Sequence, residues 1–166
     1  MNQLSGQLLA IDTQGSVSIA DVAIGEHGKL ILTAMVLGAA HPATTWSVGQ
    51  PVTMLFKESE VALARQLSGQ ISLRNRMPGQ VVALEQGRLL TRVRLALQDV
   101  SGGCIESLIT TRSAQAMQLG IGDQLEALVK SNEMSMMPQI HPQIQQPPQQ
   151  QIQQPTQHGG AAQEPA

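Results

Sequence analysis

The sequence predicts an all-β protein made of two tandem small β-barrels, each with one short helix, followed by a disordered Gln/Pro-rich tail. Three observations lead there. The first is an internal repeat: under an offset of 73 residues Asn2 falls on Asn75, Gly6 on Gly79, Ala10 on Ala83, Gly49 on Gly122, Lys57 on Lys130 and Glu60 on Glu133. Apolar positions follow, with Leu8 on Val81, Ile11 on Leu84, Val36 on Ile109 and Phe56 on Val129. Self-similarity at a fixed offset marks a duplicated structural unit. The pentapeptide QLSGQ also occurs twice, at 3–7 and 66–70, but the register it suggests sets Gly49 on Arg112 and Lys57 on Gly120, so nothing else aligns. The second observation is strand-like patterning within each unit. The third is a change of composition after Met137, where the text becomes PQIHPQIQQPPQQQIQQPTQHGGAAQEPA. The units are therefore residues 1–65 and 71–137, joined by a linker at 66–70, with 138–166 as the tail.

The elements follow in chain order. GQLLAI, from Gly6, and its counterpart GQVVAL, from Gly79, each read as a strand that starts after a glycine. QPVTMLF, ending at Phe56, and DQLEALV, ending at Val129, read as strands entered from a Gly-x turn. LLTRVRLAL alternates Val93, Leu95 and Leu97 against Arg92, Arg94 and Ala96, the period of a strand with one face buried. In TRSAQAMQL the spacing of Ala114, Met117 and Leu119 suits one or two helical turns, with Thr110 or Thr111 as N-cap. About five strands and a short helix in some 65 residues describe an OB-fold-like barrel, the oligonucleotide- and oligosaccharide-binding type. The tail has Glu164 as its only carboxylate and no periodic apolar face. It cannot bury enough surface to offset its conformational entropy.

Composition narrows the function. Of 166 residues 42% are hydrophobic, enough for a core, but aromatics are 1%, Trp46 and Phe56 alone, so that core must be aliphatic. A formal net charge of -2 provides no overall field to gather nucleic acid or an anionic membrane. One cysteine, Cys104, forms no internal disulfide and suits a reducing compartment, with cytoplasm as the expectation. The N-terminus lacks a signal-peptide pattern, and no apolar run is long enough to span a bilayer. Catalysis finds no footing: there is no Gly-rich phosphate loop after a strand, no Ser/His/Asp grouping and no carboxylate pair in an evident cleft, so the chain reads as a non-enzyme. Met134, Met136 and Met137 read as core filler rather than soft-metal ligands. His141 and His158 lie in the tail without zinc spacing.

SLRNRMPGQVV, from Ser72, followed by LITTRSAQAMQLGIGDQLEALVKSNEM, from Leu108, resembles the molybdate-binding Mop domain, the TOBE domain of the molbindins. The family shows a Ser-Ala-Arg-Asn start, a Thr-x-x-Ser-Ala helix entry with a following Leu-Gly, and a Lys followed by a small residue. The match covers nearly all of 72–136, and the pair of units resembles the tandem molbindins and the effector half of molybdate-responsive regulators, with no winged-helix region expected ahead of it. The resemblance implies an oxyanion site made of Ser72 and Arg74, Thr110 and Ser113, and Lys130 with Ser131. It implies molybdate, with tungstate as a second candidate, as the ligand. It also implies a homo-oligomer, a trimer or a dimer, because in the family the first motif comes from one subunit and the other two from its neighbour.

The chemistry of these residue types agrees. A tetrahedral dianion stripped of water needs compensating charge and several inward donors, since an unpaired buried charge is very costly. Arg74 and Lys130 carry charge, the four hydroxyls donate, and a first helical turn after Thr110 offers free N–H groups. Two residues depart from the family pattern: Leu73 stands where a small residue is usual, and Arg112 adds a charge beside the second motif. In the first unit Leu37 takes the position of Thr110, Ala40 that of Ser113 and Glu58 that of Ser131, while nothing ahead of Asn2 supplies Ser or Arg. Only Lys57 remains, so this unit is expected to keep the barrel as scaffold or oligomer contact and to have lost the site. Reversible molybdate binding for storage, buffering or homeostasis is the resulting expectation. Two alternatives stand beside it. One is the sensing module of a regulator. The other is a single-stranded nucleic-acid module, against which counts the separation of the two aromatics, in the first unit, from the arginines, in the second.

Overall fold

The computed structural model describes residues 1–25, 27–38 and 46–139. The first repeat contributes strands β1 (Asn2–Gln14), β2 (Val17–Ile24), β3 (Leu30–Leu37), β4 (Pro51–Phe56) and β5 (Ala62–Ala64). The second contributes β6 (Asn75–Gln86), β7 (Leu90–Leu97), β8 (Cys104–Thr110), helix α1 (Thr111–Ala116), β9 (Gln124–Val129) and β10 (Ser135–Pro138). A 3-10 turn at Glu58–Glu60 leads into β5, and its counterpart at Ser131–Glu133 leads into β10. The helix expected in the first repeat falls largely outside the described residues, as does the tail from Ile140 onward. Among the described residues no helix is long and apolar enough to cross a membrane.

Two five-stranded antiparallel sheets result, and each takes its fifth strand from the other repeat. The orders are β10-β4-β1-β2-β3 and β5-β9-β6-β7-β8. Ala62 pairs with Leu128 and Ala64 with Glu126, while Met136 pairs with Met54 and Pro138 with Val52. The exchange carries side chains with it. Met136, inward-facing opposite Met54, is buried in the first sheet, and the interiors of the two sheets merge into one apolar core. Pro138 belongs to β10 rather than to the tail, and the backbone N–H of Gln139 extends the pairing to the carbonyl of Pro51 at 3.0 Å. Proline is tolerated because β10 is an edge strand and Gln139 points its N–H at β4, so the nitrogen of Pro138 faces the free edge.

Gly6 and Gly79 lie inside β1 and β6 rather than ahead of them, because both strands begin four residues earlier at the paired asparagines. Both strands then shift register, between Leu8 and Ala10 and between Val81 and Ala83. Bulges of this kind bend a strand and raise its twist, which curls each sheet toward closure. The two glycines sit just before the bend, where a neighbouring strand comes close. A β-carbon on Gly79 would lie 2.8 Å from the carbonyl oxygen of Ala96, and one on Gly6 would press still harder on that of Ala23. Gly49 and Gly122 have left-handed φ of 86° and 95°, and their N–H groups bond Leu8 and Val81 at 2.7 and 2.8 Å. The offset repeat of the sequence is thus a repeat of backbone conformation.

Two buried asparagines lock the repeats together. The side chain of Asn75 accepts from the N–H of Thr33 at 2.7 Å and donates to the Thr33 carbonyl at 3.0 Å. Asn2 does the same to Glu106, at 2.7 and 2.8 Å. Thr33 and Glu106 are equivalent positions on β3 and β8, the outermost strands of their sheets. Each amide therefore imitates one residue of a missing strand and satisfies backbone groups that would otherwise be orphaned near the core. The Ser107 hydroxyl adds a bond to the Val61 carbonyl at 2.7 Å, and Arg65 pairs with Asp123 across the same junction.

Two outcomes follow for urea unfolding. Gly6→Ala is expected to destabilise more than Gly79→Ala, with the latter costing about 1–3 kcal/mol as an overpacking change. Met136→Ala should cost about 2 kcal/mol or more, and the loss should be visible in the fluorescence of Trp46, the single tryptophan, which lies in the first repeat.

Candidate anion site

The stretch ISLRNRMPGQ resolves into residues with different duties. Arg76 is paired across the β6–β9 ladder with Glu126 at 2.6 Å, and Asn75 is fully buried as a clamp. Arg74, the residue just ahead of β6, is exposed. Asn75 lies opposite Val129 in the register, so Arg74 and Lys130 are the residues that flank the last pair of the ladder. Lys130 is also exposed, and it opens the 3-10 turn whose first residue, Ser131, is half-buried. Ser72 is exposed two residues before Arg74. Among the described residues, neither Arg74 nor Lys130 has a carboxylate within ion-pair distance. Two cations and two serines therefore share one end of the second sheet.

Thr110 and Ser113 form a separate group. Thr110 closes β8 and caps α1, its hydroxyl accepting from the Ser113 N–H at 3.1 Å and lying 2.8 Å from the Ser113 hydroxyl. Thr111, the other cap candidate, turns inward and donates to the Gly87 carbonyl at 2.9 Å. The division leaves the Thr110 and Ser113 side chains exposed while Thr111 and Ala114 anchor the turn. The helix stops at Ala116, short of the expected Leu119, because Gln118 adopts a left-handed φ of 48°. Met117 and Leu119 still pack on the core.

These two groups do not meet within a chain. Thr110 pairs with Leu90, near the Gln86 end of β6, whereas Arg74 precedes the Asn75 end. The 12-residue strand lies between them, on the order of 30 Å or more of chain path.

The first repeat presents different chemistry at the equivalent place. Lys57 follows β4 as Lys130 follows β9, but the next residue is Glu58, whose carboxylate takes the terminal ammonium of Met1. That hydrogen bond is the main reason its carboxyl is held below the usual range. Leu37, at the position of Thr110, is 72% exposed, and Ala40 lies outside the described residues. Of the two departures in the second repeat, Leu73 is half-buried and Arg112 exposed on α1. Asn2 and Asn75 are the residues whose part the sequence reading missed: their coincidence under the repeat was visible, and an asparagine kept in both copies could have been taken as a buried amide rather than as a marker of alignment.

Comparison with known proteins places this geometry in context. The TOBE domain family model matches residues 71–136. The molybdenum transport protein ModE of Herbaspirillum seropedicae is 29% identical over 131 residues, covering 78% of this chain and 47% of that protein. The chain thus spans about half the length of that relative. Among solved structures, the cytoplasmic molybdate-binding protein ModG, in a crystal form with molybdate bound, matches with a TM-score of 0.74 at 24% identity over 81% of this chain and 94% of ModG. MopII from Clostridium pasteurianum matches over 37% of this chain and 90% of its own, at 35% identity and a TM-score of 0.35. The ModG likeness covers both repeats and shows a shared tandem fold, and the TOBE domain model matches the second repeat.

Proposed function

We propose that the chain binds molybdate, and tungstate in the same way, reversibly between copies of itself, serving molybdenum storage, buffering or homeostasis in the cytoplasm. The observation that carries this reading is the pair of cations at the end of β6 and β9. Arg74 and Lys130 flank the last pair of that ladder with no carboxylate partner among the described residues, and Ser72 and Ser131 stand close to them in the chain. Like charges held side by side repel, and a dianion between them removes that repulsion while accepting their hydrogen bonds. Thr110 and Ser113 of a neighbouring copy would supply the remaining hydroxyls, which gives the homo-oligomer, trimer or dimer, a chemical purpose. The six side chains act as electrostatic and hydrogen-bonding contacts, and no bond is made or broken, so we read the chain as a binding protein and not an enzyme.

In the first repeat a carboxylate replaces the serine next to Lys57, and an anion there would meet like charge. We therefore assign binding to the second repeat and scaffolding to the first. A ligand-sensing role within a larger regulator is the second reading, favoured by a relative matched over about half its length.

Calorimetric titration with molybdate should show binding that falls at least about 30-fold in Arg74→Ala and in Lys130→Ala, the loss expected for one charge-assisted hydrogen bond of roughly 2 kcal/mol. Lys57→Ala should bind as the unaltered chain does. Native mass measurement with and without molybdate should reveal a homo-oligomer carrying bound anion. A monomer of unchanged mass that is retained on single-stranded DNA in a salt-dependent way would instead favour the nucleic-acid reading.

A further inference from the structure

We infer that Asn75 is a positioning residue for the anion site: by clamping the first repeat it holds Arg74 opposite Lys130. The inference rests on the reading of these two cations as molybdate contacts. Asn75 is bonded to Arg74 through one peptide unit, and its side chain is 0% exposed. Its amide spans both backbone groups of Thr33, at 2.7 and 3.0 Å, and its backbone pairs with Val129. The strand it grips is itself secured, because the Thr33 hydroxyl donates to Asp21 on β2 at 2.6 Å.

The physical need for such a clamp lies in the charges. Before the anion arrives, Arg74 and Lys130 repel each other, and the connection from β5 to β6 is irregular up to Arg74. Left to itself, that connection would relax so as to part the charges. The next residue forbids this, since moving the Arg74–Asn75 peptide would strip partners from a buried amide and from Thr33 at once. Affinity is thereby gained through preorganisation rather than through an added contact. The first repeat, without a site of its own, would thus take part in binding by supplying the anchor point.

Symmetry supplies the control. Asn2 makes the same pair of bonds to Glu106, at 2.8 and 2.7 Å, and is 6% exposed, but it is not joined to Arg74. The full-length chain, Asn75→Ala, Asn75→Ser and Asn2→Ala would each be titrated with molybdate at a temperature where Trp46 fluorescence reports a folded protein, with assembly mass checked alongside. The serine variant serves if the alanine variant does not fold, because its hydroxyl is too short to span both Thr33 groups. The expected result is affinity lowered tenfold or more by either change at Asn75 and by less than twofold in Asn2→Ala, with assembly mass unchanged. Equal losses at the two asparagines, or none at Asn75, would overturn the positioning role while leaving the proposed function standing. Absence of molybdate binding by the unaltered chain would remove both.

Discussion

The structure depends on a reciprocal exchange: each repeat completes its sheet with the last strand of the other, and an asparagine from each repeat satisfies the open edge of its partner. A single repeat would present four strands and an uncovered side to its core. Exchange removes both liabilities, because β5 and β10 reach across the junction and Asn2 and Asn75 bond the edges of β8 and β3. The same symmetry explains why the core can be so poor in aromatics. Residues such as Met134 and Val61, 1% and 2% exposed, occupy equivalent places just ahead of the exchanged strands, so aliphatic volume is supplied from two directions into one merged interior.

Symmetry of backbone does not extend to the charges. The second repeat follows β9 with Lys130 and Ser131 and precedes β6 with Arg74, whereas the first follows β4 with Lys57 and Glu58. The second repeat thus carries two cations without a carboxylate partner at this end among the described residues, whereas in the first a carboxylate follows the lysine and pairs with the Met1 ammonium. Because Arg74 is continuous with a clamp seated on the first repeat, the two roles are joined in one short piece of chain. The cationic end and the Thr110 cap stand toward opposite ends of β6.

Much of this was legible in the sequence because duplication leaves a pattern that single positions do not. Gly49 and Gly122 aligned under the repeat and proved to share a left-handed turn, and the alternation around Val93, Leu95 and Leu97 marked the buried face of β7. The exchange was not legible. Ala62–Ala64 and Ser135–Pro138 are equivalent segments, so either sheet could accept either strand without altering any local pattern, and only the direction of the chain after the 3-10 turns decides. The strand starts at Asn2 and Asn75 were obscured for a related reason: Gly6 and Gly79 read as punctuation, although their lack of a side chain serves close approach within a continuous strand. For the site, motif resemblance named six residues, but the placement of four at one end of β6 and two at the other belongs to topology and could not be read from spacing.

Native-state hydrogen exchange on the intact chain addresses the exchange most directly, since it reports the free energy at which each strand opens. If the repeats are interlocked as described, the slowest amides of β1 and β2 and those of β6 and β7 will share one opening free energy. Amides of one repeat that open at a distinctly lower free energy, while those of the other stay protected, would contradict the account.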